Sequence, residues 1–340
     1  MRKIILVPVI SLTLIWLMGC GSSSSNTIIP PGQTLTSNFA FVRVDNGGGL
    51  QAQHRLQEGS PYVFFHQKQL AAPLQSGVAG NESVLMMKND GTGSTVLVSG
   101  IGPIGSVQLS LDGKKGVSME ADENGYMQIY AVDMTNLQNL HAVQLTTDSE
   151  DHVMPQFSPD NSKVIYHKWI SGTLSQAFTV NTSGGAETQI LTPNTYVLFP
   201  AYTPDGKKIV FATFDSAHTY EGISIMNADG SAITTLTGTA GSYDGYPSVS
   251  PDGKTIVFYR YTTQTNGGTE DIYTVGIDGS NLKQLTTDGE SWDPMYVNDK
   301  IVFVSSRDHN GAGEIYSMGL DGNNQKNLTN DAVDEFFFWD

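Results

Sequence analysis

Carboxylates and large aromatic side chains cluster just before four prolines that recur along the chain, at Pro155, Pro200, Pro247 and Pro294. These two residue types together suit a contact surface, because aromatic rings are buried there while charges orient the bound ligand. No cofactor is expected, although acidic groups of this kind are compatible with a bound Ca²⁺. With one further acid near the C-terminus, the candidate residues are Glu150, Asp151, His152, Tyr196, Tyr243, Asp244, Glu290, Trp292, Asp293 and Asp334.

Two interpretations of these acidic segments stay open. One is a site for a protein, peptide or glycan ligand that is cationic or amphipathic. The other is purely structural, because an aspartate before a strand often caps the loop by accepting hydrogen bonds from backbone amides.

Enzyme chemistry has little support in the residue patterns. The chain has no Gly-x-Ser-x-Gly motif, which argues against a serine peptidase. Its seven histidines show no regular ligand spacing, so no catalytic or metal-binding residue is assigned. His152 is kept as a candidate because it lies three residues before Pro155, at the start of a predicted strand.

A short phrase recurs at intervals of about 47 residues, close to the length of one four-stranded propeller blade. Its clearest copies read Ser/Thr-Pro-Asp-Gly-Lys, and each predicts a tight turn between two strands. Apolar triplets follow at residues 164–166, 209–211, 256–258 and 301–303. They predict strands that are buried on both faces.

The sequence contains six strands of alternating pattern but only five turn phrases, and this difference predicts how the ring closes. The extra strand indicates an N-terminal blade built from residues 39–42, 83–87 and 95–98, and residues 334–340 supply its innermost strand. Residues 47–82 form an insertion, in which Tyr62-Val63-Phe64-Phe65 predicts an additional strand or a plug. The expected fold is therefore all-β: a six-bladed β-propeller with four-stranded blades, closed by a C-terminal strand that completes the N-terminal blade.

The position of the candidate residues within such a ring is informative. Loops that lead into the innermost strands converge on the mouth of the central channel, whereas the outer loops diverge. All of the candidate residues belong to these converging loops. The sequence therefore predicts any binding site at this mouth.

The N-terminus has the pattern of a bacterial lipoprotein signal, with Arg2 and Lys3, an apolar run over residues 4–18, and Leu17-Met18-Gly19-Cys20. Cys20 is the only cysteine, which favours lipidation over a redox or catalytic role. The predicted organisation is a signal peptide at 1–19, a lipidated Cys20 and flexible tether at 20–38, and the propeller at 39–340.

The chain is acidic, with a formal net charge of −16. Such a surface disfavours binding to nucleic acid or to anionic lipid headgroups. Attachment to a membrane is therefore expected through the lipid anchor only. We expect a monomer in the cell envelope, on the outer membrane facing the periplasm or on the cell surface.

The order of these motifs resembles the TolB-like β-propeller repeat: a proline, the Ser/Thr-Pro-Asp-Gly-Lys turn, Ile-Val-Phe, Ile-Tyr, Asp-Gly and Leu-Thr. The resemblance is close over residues 101–329 and looser before them. It implies a periplasmic or surface propeller that serves as a platform for protein partners. TolB proteins also carry an α/β domain before the propeller, for which residues 21–38 leave no room, so a role in the Tol–Pal system is not carried over.

The function expected from the sequence is a lipid-anchored, non-enzymatic platform that binds an envelope protein or peptide. The alternatives are a carbohydrate-active enzyme, either a polysaccharide lyase or a hydrolase, and a glycan-binding module. Each alternative would use the mouth of the central channel. Related propellers include lyases of pectic fragments that hold a metal with several histidines around this channel.

Overall fold

A computed structural model of the protein describes most of the chain between residues 62 and 336. The described ranges are 62–68, 82–88, 90–92, 94–101, 105–110, 114–122, 124–133, 141–170, 174–190, 196–214, 221–264, 267–308, 313–330 and 334–336. The predictions for the signal peptide, Cys20, the tether and residues 39–42 lie outside them. The described part contains no helix that is long and apolar enough to cross a bilayer.

All regular elements of the described residues are β-strands, and these strands form five sheets of a propeller. The first sheet contains β1 (Tyr62–Lys68), β2 (Glu82–Lys88), β3 (Thr95–Ile101) and β24 (Asp334–Phe336). The second contains β4 (Gly105–Leu109), β5 (Lys115–Ala121), β6 (Met127–Asp133) and β7 (His141–Gln144). The third contains β8 (His152–Phe157), β9 (Lys163–Ile170), β10 (Leu174–Asn181) and β11 (Thr188–Gln189).

The remaining strands form one large sheet and one small sheet. The fourth sheet contains β12 (Leu198–Tyr202), β13 (Lys208–Phe214), β14 (Glu221–Asn227), β15 (Thr234–Thr235), β16 (Ser242–Val249), β17 (Thr255–Gln264), β18 (Gly267–Gly276) and β19 (Lys283–Gln284). The fifth contains β20 (Ser291–Val297), β21 (Lys300–Ser305), β22 (Glu314–Gly319) and β23 (Lys326–Asn327). Consecutive strands within each repeat pair antiparallel.

The fourth sheet corrects the predicted number of blades. It holds two successive repeats, because Glu221 of β14 and Tyr243 of β16 form a parallel backbone pair. This pair continues the hydrogen bonding from one repeat into the next, where separate blades would meet through side chains alone. The prediction of six four-stranded blades is therefore wrong: the described strands form five sheets, of which one has eight strands.

Both ends of the described chain meet in the first sheet. β24 pairs antiparallel with β1, with Phe336 opposite His66. The place predicted for residues 39–42, between the C-terminal strand and β2, is held instead by β1, so that assignment is wrong. The segment interpreted as an insertion thus supplies a regular strand of the sheet.

A side-chain contact shows independently that the first and fifth sheets adjoin. Lys326 of β23 donates a hydrogen bond from Nζ to the carbonyl of Asp90, at 2.8 Å. Lys283 of β19 makes the same bond to the carbonyl of Asp321, at 2.8 Å, between the fourth and fifth sheets. Because β1 of the first sheet also contacts β4 of the second, the first sheet closes the ring between the fifth and second sheets.

The core lies between neighbouring sheets. The predicted apolar triplets lie in the second strand of their repeats, and Ile209, Val210 and Phe211 illustrate their complete burial. A side chain on either face of such a strand contacts the next sheet, which explains the continuous apolar run. The triplets thus have a structural role, and functional residues are expected among the less regular positions.

The recurring turn phrase is also scaffold. In three copies the first hydroxyl donates a hydrogen bond to Oδ1 of the aspartate two residues later. The same hydroxyl oxygen accepts a bond from the backbone amide that opens the next strand. These pairs are Ser158 with Asp160 at 2.6 Å, Thr203 with Asp205 at 2.7 Å, and Ser250 with Asp252 at 2.7 Å.

The turn at Asp160 predicts an acid-dependent loss of stability. Hydrogen bonds from the Ser158 hydroxyl, and then from Ser162, lower the pKa of Asp160 from 3.8 to about 2. The ionised carboxylate therefore stabilises the fold above about pH 4, and this stabilisation is lost as the pH falls through about 2. We expect Asp160→Asn to remove that part of the pH dependence, measured by urea unfolding at several pH values. A stability difference between variant and wild type that stays constant from pH 5 to pH 2 would contradict the assignment.

Candidate functional site

Four inner strands share an unusual backbone feature directly before the recurring proline. The residue there has a positive φ in each strand: 56° at Met154, 52° at Phe199, 51° at Tyr246 and 49° at Asp293. The pairing register shifts at the same point in β8, β12, β16 and β20. Such irregularities redirect a side chain, and non-glycine residues hold this conformation only where their surroundings enforce it.

Three of these side chains, those of Met154, Phe199 and Tyr246, meet near the centre of the ring, and in the fourth strand Trp292 joins them in place of Asp293. The rings of Phe199 and Tyr246 stack with centroids 4.1 Å apart and an interplanar angle of 25°. Met154, Tyr246 and Trp292 pack against one buried cluster formed by residues of the first and fifth sheets. Because Met154 belongs to the third sheet and Tyr246 to the fourth, this shared contact places both near the central axis.

We name Met154, Phe199, Tyr246 and Trp292 the central apolar patch. All four side chains are partly exposed. His167 borders the patch, and its ring meets that of Phe199 edge to face at 5.5 Å. Burial lowers the pKa of His167 from 6.5 to about 3, so this border is uncharged at neutral pH. The patch therefore presents aromatic and thioether surface near the central axis.

Trp292 is the predicted site residue that lies in this patch. Its neighbour Asp293 is almost completely buried, at 1% exposure. Tyr196 packs edge to face on Phe214, with centroids 5.9 Å apart. Tyr243 lies 6.1 Å from the ring of Tyr261. These two predicted tyrosines thus pack against aromatic rings of the neighbouring strand in their own repeats.

Asp244 belongs to a buried ionic network. Its side chain is fully buried, and Arg260 donates two hydrogen bonds to it, from Nε at 2.6 Å and from a terminal nitrogen at 2.7 Å. Thr237 donates a third bond, at 2.5 Å. The guanidinium also lies 4.8 Å from the ring centroid of Tyr273. The carboxylate oxygens of Asp244 thus accept their hydrogen bonds from groups inside the protein.

The remaining predicted acids make contacts in which backbone atoms take part. Oδ1 of Asp151 accepts a hydrogen bond from the amide of Met127, at 2.9 Å, between the second and third sheets. The carbonyl of Glu290 accepts a bond from the amide of Ser306, at 3.1 Å. The carbonyl of Glu150 lies 3.4 Å from Nε2 of Gln128. The backbone of Asp334 lies in β24, opposite Lys68.

His152 joins a second cluster that combines acidic and basic side chains. It is fully buried at the start of β8, and Nδ1 lies 3.3 Å from the carbonyl oxygen of Met127. Nε2 lies 3.4 Å from Oδ1 of Asp148 and 3.4 Å from Oε1 of Glu187. Lys168 bonds the other oxygen of each carboxylate, with Nζ 3.1 Å from Oε2 of Glu187.

The electrostatics of this cluster favour an ionised Glu187. Burial alone would raise the pKa of Glu187, but positive charge at the position of His152 and on Lys168 lowers it from 4.5 to about 2. Burial opposes the charge of Lys168, but its bonds to Asp148 and Glu187 raise its pKa above 10.5. Asp148, His152 and Glu187 also have the donor types and mutual distances of metal ligands.

Most members of the central apolar patch and of the cluster around His152 were not predicted from the sequence. Asp148 lies four residues before His152, but Lys168 in β9 and Glu187 before β11 have no sequence spacing that connects them with it. A signal was present for Met154, Phe199 and Tyr246, because each stands directly before a recurring proline. That position, more than the acidic residues around it, marks the side chains that reach the centre.

Comparison with known proteins identifies the fold family. The family model described as the TolB β-propeller domain matches residues 77–286, more than half of the chain. A sequence comparison with curated proteins gives no significant match. The predicted resemblance to the TolB-like repeat is therefore confirmed by the family model.

Solved structures agree with this fold. TolB from Acinetobacter baumannii is 19% identical with a TM-score of 0.64, over 82% of this chain and 66% of its own. A putative TolB from Agrobacterium tumefaciens is 20% identical with a TM-score of 0.58, over 72% of this chain and 92% of its own. An oligogalacturonate lyase in complex with manganese is 16% identical with a TM-score of 0.50, over 79% of this chain and 73% of its own.

At these identities the structural likeness shows the fold alone. The aligned region also spans only about two thirds of the Acinetobacter protein. Family membership instead follows from the extent of the sequence match and from the shared propeller architecture. The protein belongs to the TolB β-propeller domain family.

Proposed function

We propose that this protein is a lipid-anchored propeller of the bacterial cell envelope that binds another envelope protein and has no enzymatic activity. The observation that carries the proposal is the central apolar patch. Its aromatic side chains are partly exposed at the centre of the ring, where a rigid backbone presents them in fixed directions. Aromatic anchors of this kind contribute most of the binding energy in many protein interfaces.

The charge of the surroundings suggests the chemistry of the partner. The chain has a net charge of −16, and the exposed carboxylate of Glu290 lies directly before an inner strand. A partner segment with an apolar anchor flanked by basic residues would complement both features. Charge complementarity would mainly speed the encounter, while the aromatic contacts would set the lifetime of the complex.

The lipid anchor is proposed from the sequence alone. Cys20 follows the apolar run in the context of a bacterial lipoprotein signal, and residues 21–38 have the composition of a flexible tether. Acyl chains on Cys20 would hold the propeller at the outer membrane, facing either the periplasm or the cell surface. Membrane attachment would then raise the local concentration of envelope partners.

The carbohydrate-active alternative has less support. Apolar side chains occupy the ring centre, where a lyase would need converging polar ligands. The likeness to an oligogalacturonate lyase is one of fold only.

Chemical crosslinking in intact cells, followed by membrane fractionation, tests the platform proposal. Phe199→Asn and Tyr246→Asn remove the stacked rings, and asparagine tolerates the left-handed backbone at both positions. We expect the amount of crosslinked partner to be at least tenfold lower for each variant than for the wild type. Leu282→Asn is the matched control, because Leu282 is an exposed apolar residue outside the patch, at 49% exposure, and it should leave capture unchanged.

The anchor is tested in the same cells. Cys20→Ala should release the protein from the membrane fraction and reduce the amount of crosslinked partner. Melting temperatures of all variants must stay near the wild-type value for the comparison to hold. Absence of any specific partner, together with binding on a glycan array, would overturn the platform in favour of a glycan-binding module.

A further inference from the structure

We propose that Asp148, His152 and Glu187 bind one divalent transition-metal ion of the zinc class. The three side chains come from three places: the connection between β7 and β8, the start of β8, and the residue before β11. Their ligand atoms, Oδ1, Nε2 and Oε1, face one another within a few ångströms. This site is separate from the central apolar patch and does not depend on the proposed platform function.

The first argument concerns the imidazole of His152. A carbonyl oxygen only accepts hydrogen bonds, so Nδ1, at 3.3 Å from the carbonyl of Met127, carries a proton. In the neutral ring Nε2 is then a bare lone pair. This arrangement, with the far nitrogen bonded to a backbone carbonyl, is the usual one for histidine that binds a metal.

The second argument is that Nε2 faces a position suited to a cation. It is buried and makes no hydrogen bond with the described residues, yet two carboxylate oxygens lie 3.4 Å away. A lone pair this close to two negative oxygens is repelled unless positive charge lies between them. Ligands on a tetrahedral zinc, with bonds of about 2.0–2.2 Å, are separated by about 3.3–3.6 Å, a range that includes this spacing.

The third argument is charge balance. Lys168 occupies the opposite oxygens, Oδ2 of Asp148 and Oε2 of Glu187, and leaves Oδ1 and Oε1 directed toward His152. One ammonium and two carboxylates leave one negative charge uncompensated. Lys168 thereby holds both carboxylates in place from behind, as outer-shell partners do at metal sites.

The donor set indicates the class of metal. Imidazole nitrogen suits zinc and its neighbours better than Ca²⁺ or Mg²⁺, which prefer oxygen alone. The Asp148 side chain is 47% exposed, whereas that of Glu187 is 19% exposed and His152 is buried. The open side at Asp148 leaves room for a water molecule as the fourth ligand. This inference departs from the sequence expectation that no histidine binds a metal.

Calorimetric titration of the full chain with Zn²⁺ tests the site, with Cys20→Ala in every sample to remove the free thiol. We expect one equivalent of Zn²⁺ to bind and Co²⁺ to give the absorption spectrum of a tetrahedral site. Asp148→Asn and Glu187→Gln should each weaken Zn²⁺ binding at least tenfold, while the fold is checked by circular dichroism. Glu290→Gln, which alters an exposed carboxylate before another inner strand, should bind Zn²⁺ like its parent.

Two results would overturn the proposal. One is the absence of stoichiometric Zn²⁺ binding by the folded parent, which would mean that a proton on His152 supplies the positive charge. The other is Zn²⁺ binding that is unchanged in both Asp148→Asn and Glu187→Gln, which would place the metal elsewhere. Neither result would bear on partner capture at the central apolar patch, so the two proposals fail separately.

Discussion

Replacement of Asp244 by alanine is expected to lower the free energy of unfolding by about 3–5 kcal/mol, the usual loss when one member of a buried ion pair is removed. The Asp244 side chain is fully buried and that of Arg260 is 10% exposed. The variant would leave the guanidinium with little water and no counter-charge. It would also remove the acceptor of the Thr237 hydroxyl. Urea unfolding at neutral pH measures the loss.

An exposed ion pair in the same sheet provides the control. Lys254 and Asp252 lie 3.7 Å apart, with 79% and 59% of their side chains exposed. Solvent screens such a pair, so Lys254→Ala should change the free energy of unfolding by about 1 kcal/mol or less. The double variant Asp244→Leu/Arg260→Met should recover part of the stability that Asp244→Ala loses, because no charge is then left unpaired. A loss below about 1 kcal/mol for Asp244→Ala would show that water reaches Arg260.

Deletion of residues 334–340 is expected to lower the melting temperature by roughly 10 °C, because a loss of several kcal/mol lowers it by about 2–4 °C for each kcal/mol in a domain of this size. The deletion removes β24 and leaves the edge of β1 unpaired. It also removes the connection that closes the ring through the first sheet. An exposed strand edge should in addition promote association between copies, which light scattering would detect.

Lys326→Ala is the control for this deletion. It removes the side-chain bond from β23 to the carbonyl of Asp90 but leaves the strand pairing of the first sheet intact. We expect its melting temperature to fall by only a few degrees. If deletion of residues 334–340 left the melting temperature unchanged, β24 would contribute nothing to closure of the ring.

The repeat made most of the fold predictable, and the exceptions have physical causes. Turn phrases and apolar triplets depend on local chemistry, so their strands could be read from composition and spacing. The joining of two repeats in the fourth sheet depends on one parallel backbone pair, between Glu221 and Tyr243. Backbone atoms form this pair, so side-chain patterns carry no sign of it. The sequence did not place β1 correctly, because residues 39–42 and 62–65 are two apolar segments before a long connection. Either segment could occupy the position beside β2.

The candidate sites were less predictable for a different reason. Acidic residues before the inner strands stood out by type, but Asp244 and Asp293 proved to be buried and Asp151 bonds a backbone amide. The cluster of Asp148, His152, Lys168 and Glu187 belongs to the third sheet and its connections, and only the pairing of its strands brings these residues together. Composition indicates which groups are available, whereas the register of strands decides which of them meet.

The residue with positive φ before each recurring proline affects how the surface at the centre of the ring can evolve. Methionine, phenylalanine, tyrosine and aspartate occupy it in successive repeats, yet their φ values lie between 49° and 56°. The backbone geometry is therefore kept while the side chain varies, and where Asp293 is buried its neighbour Trp292 is the partly exposed residue. Gene duplication of one repeat would supply a new position that substitution could adapt to a different partner without disturbing the buried triplets.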